Sequence, residues 1–455
     1  MTYSSKLYFI NHASFAIERD NEILLIDPWY EGTAFNNGWA LLDQSTSNES
    51  VIEWLRKTNK KIYIWYSHEH SDHLSMSFLK QIKKEKFDLK IIFQKTIDRR
   101  VFAFLNNQQF NVIEAEEGRS IGIGKNFSIT TWPYWGGDSY CLITIDGKSL
   151  LNINDCVISN KTEAVYVKNK ISKISENIDI LLTQFGYANW SGNEDDLEQR
   201  VKLANHKFDR IFIQDSVLKP STIIPFASFV FFCHPENFYL NDAQNSPENL
   251  KTSIQLDSIQ EKIFFMKPWD IIVLDDIKTI KIQLSQLTGL AEKHWVKLKS
   301  TINPISSKIN QIEMYQLKNA FLTYRKRLSL NFIFFPQILE ILNFIKPIKI
   351  LVTDTNRIVS LSYLKGFSFQ ENSKEWHISI SSSVLNFILK NDYGFNTTYV
   401  NGRFRLERNA SIVDVSRFFS PQDYSKNGFG IKHPLVSGIH LINKIARFIL
   451  KRENV

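Results

Sequence analysis

At 455 residues the chain is too long for one ordinary hydrophobic core, so two domains are expected, and 43% hydrophobic with 22% charged residues excludes a disordered class. The net charge of +8 suits an anionic partner such as a phosphorylated substrate, a membrane surface or nucleic acid, but picks none of them alone. Only Cys141, Cys156 and Cys233 occur, with no CxxC pair, which excludes a disulfide framework and points to a reducing cytoplasm.

The opening MTYSSKLYFINHASF has no charged segment, long apolar core or small-residue cleavage site, so secretion is not expected. KLYFI (6–10), SFAIE (14–18) and EILLID (22–27) are short strand-like runs, and the polar RDN between the last two supplies a turn. Further strands follow at KIYIWY (61–66), KIIF (90–93), FSITTW (127–132), YCLITI (140–145), SLLNIN (149–154), DILLTQF (179–185) and IIVLDD (271–276), interleaved with helical patterns such as 75–87. This alternation predicts an α/β sandwich over 1–280. Beyond it, 281–346 reads as a helical linker region and 347–455 as a small α+β domain. The apolar run 331–352 is interrupted by Pro336, Glu340, Lys346 and Pro347, so it is expected to be a buried helix and a strand rather than a membrane span. The tail 431–455 places Lys444, Arg447, Lys451 and Arg452 at helical spacing, the pattern of a docking helix with a solvated basic face.

The segment YSHEHSDHLS (66–75) gathers His68, Glu69, His70, Asp72 and His73 where a strand ends and a helix begins, in a chain of only ten histidines. Residues two apart on an extended segment face the same way, so His68 and His70 can converge on one metal. Asp72 and His73, past the bend, can face a second. Imidazoles and carboxylates suit zinc or iron, which lower the pKa of bound water or leave positions open for a substrate or oxygen.

The HxHxDH spacing resembles that of the metallo-β-lactamase superfamily, over roughly residues 6–276. The resemblance implies an αββα sandwich with two metals at one edge, a bridging carboxylate at Asp155 in LLNINDC, and a late histidine ligand at His234 in FFCHPENFY. The histidine that relatives carry some twenty residues before the bridging aspartate is missing. TWPYWGGDSY (131–140) offers Tyr134 and Asp138 instead. Two histidines and a carboxylate with open positions is the donor set of many non-haem iron oxygenases. DPWYEGTAFNNGWALL (27–42), SHEHSDHLS (67–75), NDC (154–156) and PFASFVFFCHPENFY (225–239) look more closely like the metallo-β-lactamase-fold part of the CMP-N-acetylneuraminate hydroxylase group. That group's best-known activity adds oxygen to an N-acetyl group of a nucleotide sugar, with electrons arriving through a Rieske cluster. Such a cluster needs two cysteines and two histidines, and none of the three cysteines here begins a CxH or CxxH pair.

Around the motifs, His12 in NHASFAIE is a candidate second-shell residue or metal ligand, while Trp29, Trp39 and Trp135 could wall a substrate pocket and stack a base or sugar ring. Lys219 in VLKPST could meet a phosphate. The loop 186–196 could cover the site, or cap a helix at Ser191 or Asn193. In the C-terminal part, HISISSSVLNFILKN and YVNGRFRLE are similar to the end of sterol-carrier-like domains, which suggests a lipid-sized cavity or a homodimer contact beside the plainer role of a packing domain. His294, His377, His433 and His440 lack ligand spacing and receive no role.

Two enzymatic functions follow. In the first, iron held by His68, His70, Asp72, His73, Asp155 and His234 activates dioxygen on an anionic, nucleotide-linked sugar or similar N-acyl substrate, with a separate electron-transfer protein as partner. In the second, zinc ions share a hydroxide that attacks a phosphodiester, lactone or amide, Asp155 bridging and Asp72 orienting the nucleophile. A binding protein on a degenerate scaffold is the non-catalytic alternative. No nucleic-acid partner is expected.

Overall fold

The computed structural model describes residues 5–305, 310–332, 335–370 and 373–426. The chain divides into two compact units, Met1–Ile305 and Ser306–Val455. In the first, Lys6–Asn11, Ser14–Arg19 and Glu22–Ile26 form the antiparallel meander, and Lys61–Tyr66, Leu89–Gln94 and Asn111–Ala115 continue the sheet in parallel; Ile271–Val273 closes its other edge.

Period-two alternation sorts these strands' side chains onto two faces. Leu7, Phe9, Phe15, Ile17, Leu24, Ile26 and Trp65 lie in a core shared with the second sheet, while Ile10, Ala16, Ile23, Leu25, Ile62, Ile64 and Tyr66 meet helices Asn48–Thr58, Met76–Ile82 and Arg100–Asn107. The second sheet runs Thr222–Phe226, Ile180–Gln184, Lys148–Asn152, Ser139–Ile145, Phe127–Pro133 and Ser120–Gly124. Its parallel strands need crossovers, which are made through helices Lys161–Ile171 and Leu197–Leu218. These lay Ala164, Val167, Phe208 and Ile211 against it. The result is an αββα sandwich, the architecture that the resemblance implied.

Helix Ile277–Lys299 starts at Asp276, whose side chain accepts from the Lys278 and Thr279 amides. Its buried stripe, Ile280, Leu284, Ala291 and Trp295, enters the first unit's core. Trp295 stacks on Phe229 at 3.8 Å between centroids and donates to the Met266 carbonyl. The two units divide at Ile305 rather than near residue 280, where the boundary was expected, and helix Ile277–Lys299 buries its apolar stripe in the core of the sandwich it follows. The expected linker 281–346 is likewise not one region: helix Met314–Phe332 lies in the second unit, where Phe321 and Tyr324 pack against Tyr363, Phe418 and Phe419.

That second unit has a five-stranded sheet, Gly366–Phe369, Arg357–Ser362, Ile348–Val352, Ile378–Ile380 and Arg405–Leu406, with helices including Ser382–Lys390 and Gly394–Asn401. The run 331–352 ends one helix, forms the short helix Phe335–Ile341 and enters strand Ile348–Val352. Among the described residues no helix is long and apolar enough to cross a membrane. The tail 431–455, with its basic residues and with His433 and His440, lies outside the described residues.

Candidate metal centre

The candidate centre forms where strand ends of both sheets meet. Strand Lys61–Tyr66 ends at Ser67, whose amide and hydroxyl donate to the two oxygens of Asp27 at 2.8 and 2.7 Å, at the end of the neighbouring strand. The loop then passes His68, His70, Asp72 and His73 before Ser75 caps the next helix by accepting from the Phe78 amide. His68 Nε2 and His70 Nδ1 stand 2.8 Å apart, so the two-residue spacing does bring them together.

Asp155 approaches from beyond strand Lys148–Asn152 of the second sheet. Ligand atoms of His68, His70 and Asp155 lie within 4.8 Å of one another, and so do those of His12, Asp72 and His73. Asp155 offers one oxygen to each group: Oδ2 is 4.0 Å from His68 Nε2 and Oδ1 3.6 Å from His73 Nε2. Asp72 Oδ2 is 3.4 Å from His73 Nε2 and 3.5 Å from His12 Nε2.

Burial and charge set the protonation of these groups. Burial, with repulsion from His73 and His70, pushes His68 well below the ordinary imidazole range, leaving it in the neutral form that ligates. Burial would also lower His73, but Asp72, Asp155 and Asp27 surround it and hold it well above. Burial opposes ionisation of Asp155 and Asp72, yet His73 outweighs it, bringing Asp155 to about 2 and keeping Asp72 well below the carboxylate range. Asp138 goes the other way, to about 6, through burial and the charge of Asp155.

The donor set fits a pair of metal ions. His12 Nδ1 and Nε2, Asp72 Oδ1 and His73 Nε2 are buried without a hydrogen bond. Each such orphan costs about 1–3 kcal/mol, a penalty that a bound cation would remove. The outer nitrogen of His73 bonds Asp27 Oδ2 at 2.9 Å, which turns Nε2 inward, and Asn154 donates to the same oxygen at 3.2 Å.

No known family profile matches the chain. Curated relatives are found in the cytidine monophosphate-N-acetylneuraminic acid hydroxylases of Xenopus laevis, 27% identical over 254 residues (51% of this chain, 40% of the relative), and of Mus musculus, 26% identical over 275 residues (56% and 44%). The chain resembles these hydroxylases. It spans less than half the length of either of these two relatives. Among solved structures, CmlA, a diiron beta-hydroxylase from Streptomyces venezuelae, matches with a TM-score of 0.36 and 13% identity, over 60% of this chain and 55% of that one.

SHEHSDHLS and NDC meet at the centre, where His68, His70 and Asp155 form one candidate donor group and Asp72 and His73 enter the other. His234 does not join either group: following strand Val230–Phe232, its Nδ1 accepts from the Glu236 amide at 3.1 Å and its own amide donates to Asn237. His12 stands in the second group instead, carried there by the left-handed turn (φ 39) between the first two strands. Asp138 Oδ1 lies 3.9 Å from His68 Nε2. Tyr134 turns away and donates to the Val157 carbonyl.

The aromatic wall differs from expectation in part. Trp29 is buried edge-on to His12, and Trp39 is buried against Phe35, which itself faces His70. Only Trp135, 49% exposed, is open to solvent. Lys219 is a correction. It caps the C-terminus of helix Leu197–Leu218, just before the N-terminal end of strand Thr222–Phe226, whereas the centre lies at the C-terminal ends of the parallel strands. The loop before that helix supplies no cap at Ser191 or Asn193; the helix begins after Asp196. Sequence reasoning passed over Asp27, Ser67, Gln184 and Lys207. The aspartate of DPW, ending a strand beside the histidine strand, was the one signal that could have revealed any of them.

Proposed function

We propose that the first unit is a dinuclear metal-dependent oxygenase that hydroxylates an anionic, nucleotide-linked or similar N-acyl sugar. The observation that carries this is the first donor group, two imidazoles and the Asp155 carboxylate with a further carboxylate, Asp138, beside them, in a chain similar to hydroxylases. Iron held by His68, His70 and Asp155, and by His12, Asp72 and His73, would supply the redox chemistry that couples dioxygen to hydroxylation. The protein's own part is to hold His68 neutral, to set one Asp155 oxygen toward each group, and to fix His73 through Asp27. Asp138 Oδ1, with its affinity near neutrality, takes up or releases a proton next to His68. Electrons would come from a separate protein.

A zinc hydrolase is the second reading, since the same two donor groups of imidazoles and carboxylates would also suit zinc ions sharing a hydroxide, chemistry that needs no electrons. Metal analysis of protein purified without added metal, followed by oxygen uptake with CMP- and UDP-linked N-acyl sugars and a reductant, separates the two. Bound iron with substrate-coupled uptake is expected; stoichiometric zinc without uptake would replace the oxygenase by the hydrolase.

A further inference from the structure

Helix Leu197–Leu218 buries Arg200, Ala204, Lys207, Ile211, Gln214 and Leu218, a stripe at the three-and-four spacing of a core-facing helix. Lys207 thus occupies a core position in which an apolar residue is the rule, and it is 8% exposed. Its Nζ donates to Gln184 Oε1 at 2.7 Å, and Gln184 Nε2 donates to Asp155 Oδ1 at 3.3 Å. The ammonium is therefore two hydrogen bonds from the carboxylate that stands between the two donor groups.

Three residues on, one turn along the same side, Arg210 carries a buried Nε with no hydrogen bond. Its electrostatic neighbours are Glu163 and Tyr134, the latter on the turn that leads to Asp138. Among the described residues, neither Lys207 nor Arg210 makes an ion pair. Other cations around this helix do: Arg200 takes Asp242 through two bonds at 2.8 and 2.6 Å, and Lys262 takes Asp215 at 2.9 Å. Burial and the repulsion of Arg210 bring Lys207 down to about 7, and burial lowers Arg210 as well. Two neighbouring cations, Lys207 buried and Arg210 half-buried, with neither ion-paired to a carboxylate among the described residues, are costly, and an anion that reaches both offsets that cost.

We propose that Lys207 and Arg210 form an oxyanion subsite beside the metal centre, which takes the carboxylate or phosphate of the substrate and orients its acyl group toward Asp155. This rests on the function proposed above, whose substrate it specifies as an oxyanion held on the inner side of this helix. The two anion sources share one chemistry, charge-assisted hydrogen bonds from an ammonium and a guanidinium.

The test is isothermal titration of the metal-loaded, full-length protein with inorganic phosphate, CMP and N-acetylneuraminate. Lys207→Met and Arg210→Gln are each expected to weaken at least one probe by about tenfold, with metal content unchanged in Arg210→Gln, while Lys202→Met, exposed on the same helix, binds as wild type. Loss confined to phosphate and CMP assigns the subsite to a phosphate; loss confined to N-acetylneuraminate assigns it to a carboxylate. Wild-type affinities in both variants, or no binding of any probe to the wild type, would overturn the subsite. Arg210→Gln keeps the test standing should Lys207→Met fail to fold, as monitored by circular dichroism. Because these titrations need no turnover, absent oxygen uptake would sink the oxygenase without touching the subsite, and unchanged affinities with normal uptake would do the reverse.

Discussion

His12 and His234 trade places between sequence and structure, and metal content can tell which of them binds. His12 is buried with neither ring nitrogen hydrogen-bonded and lies in the second donor group, 3.5 Å from Asp72, whereas His234, whose Nδ1 accepts from the Glu236 amide, stands with neither group. His12→Ala is expected to lose about half of the bound metal and His234→Ala to keep it, by elemental analysis after dialysis. Equal content in His12→Ala and wild type would return His12 to a packing role. Asp27 gives a second test, since it aligns His73 and the Ser67 corner together. Asp27→Asn should weaken metal binding by about 10–100-fold while the chain stays folded, measured by chelator competition; unaltered affinity would mean the backbone alone fixes His73. The four candidate donors within 68–73 stood out in the sequence because they are adjacent in it. Gln184 and Lys207 did not, because each matters only through a partner on another strand or helix and nothing local distinguishes them from a solvated residue, while Asp27 left only the faint signal of an aspartate ending a strand.

At the level of elements, the two sheets are joined at their far end by a polar clasp. Arg19, ending the second strand, donates through Nε and Nη2 to the two oxygens of Asp146 at 2.7 Å each, in the turn between strands Ser139–Ile145 and Lys148–Asn152, and Ser5 donates to the same carboxylate. The hydrogen bond from Arg19 holds the Asp146 carboxyl below its usual range. A depressed folded pKa adds stability that is fully present above the unfolded value of about 4 and is lost as pH falls through the folded value. The clasp is part-exposed, so its effect is modest. Asp146→Asn should lower the unfolding midpoint by about 1–3 °C at neutral pH, and the gap to wild type should close as acid protonates the carboxyl, below the range in which a free carboxylate titrates. A gap that persists in acid would mean that the loss comes from packing rather than charge. The buried strands were legible as short apolar runs bounded by polar turns, Leu7 to Ile10 being the plainest case. Asn111–Ala115 and Ser120–Gly124 escaped notice because they are edge strands, partly exposed and carrying Glu114, Gly122 and Gly124 where a central strand would carry apolar residues.

For the molecule as a whole, the change in texture after residue 276 was legible, but its meaning was not. Helical periodicity shows that 277–299 has an apolar face and is silent about what that face meets. Its partners are in the preceding sandwich: Trp295 stacks on Phe229 and edges Phe9, and Ile280, Leu284 and Ala291 are fully buried with it. Burying a large aliphatic or aromatic side chain contributes about 1.5–3 kcal/mol, so Ile280, Leu284 and Trp295 together rival the 5–15 kcal/mol, roughly, by which a domain is stable. A fragment ending at Ile305 should therefore unfold cooperatively in urea and keep the metal content of the full chain. One ending at Asp276 exposes Phe229 and Phe9 and should be insoluble or lack a cooperative transition. The pair is compared by urea titration followed through tryptophan emission and circular dichroism. Should the shorter fragment melt like the longer, helix 277–299 would be an appendage rather than part of the first core, and the boundary would move back toward residue 280.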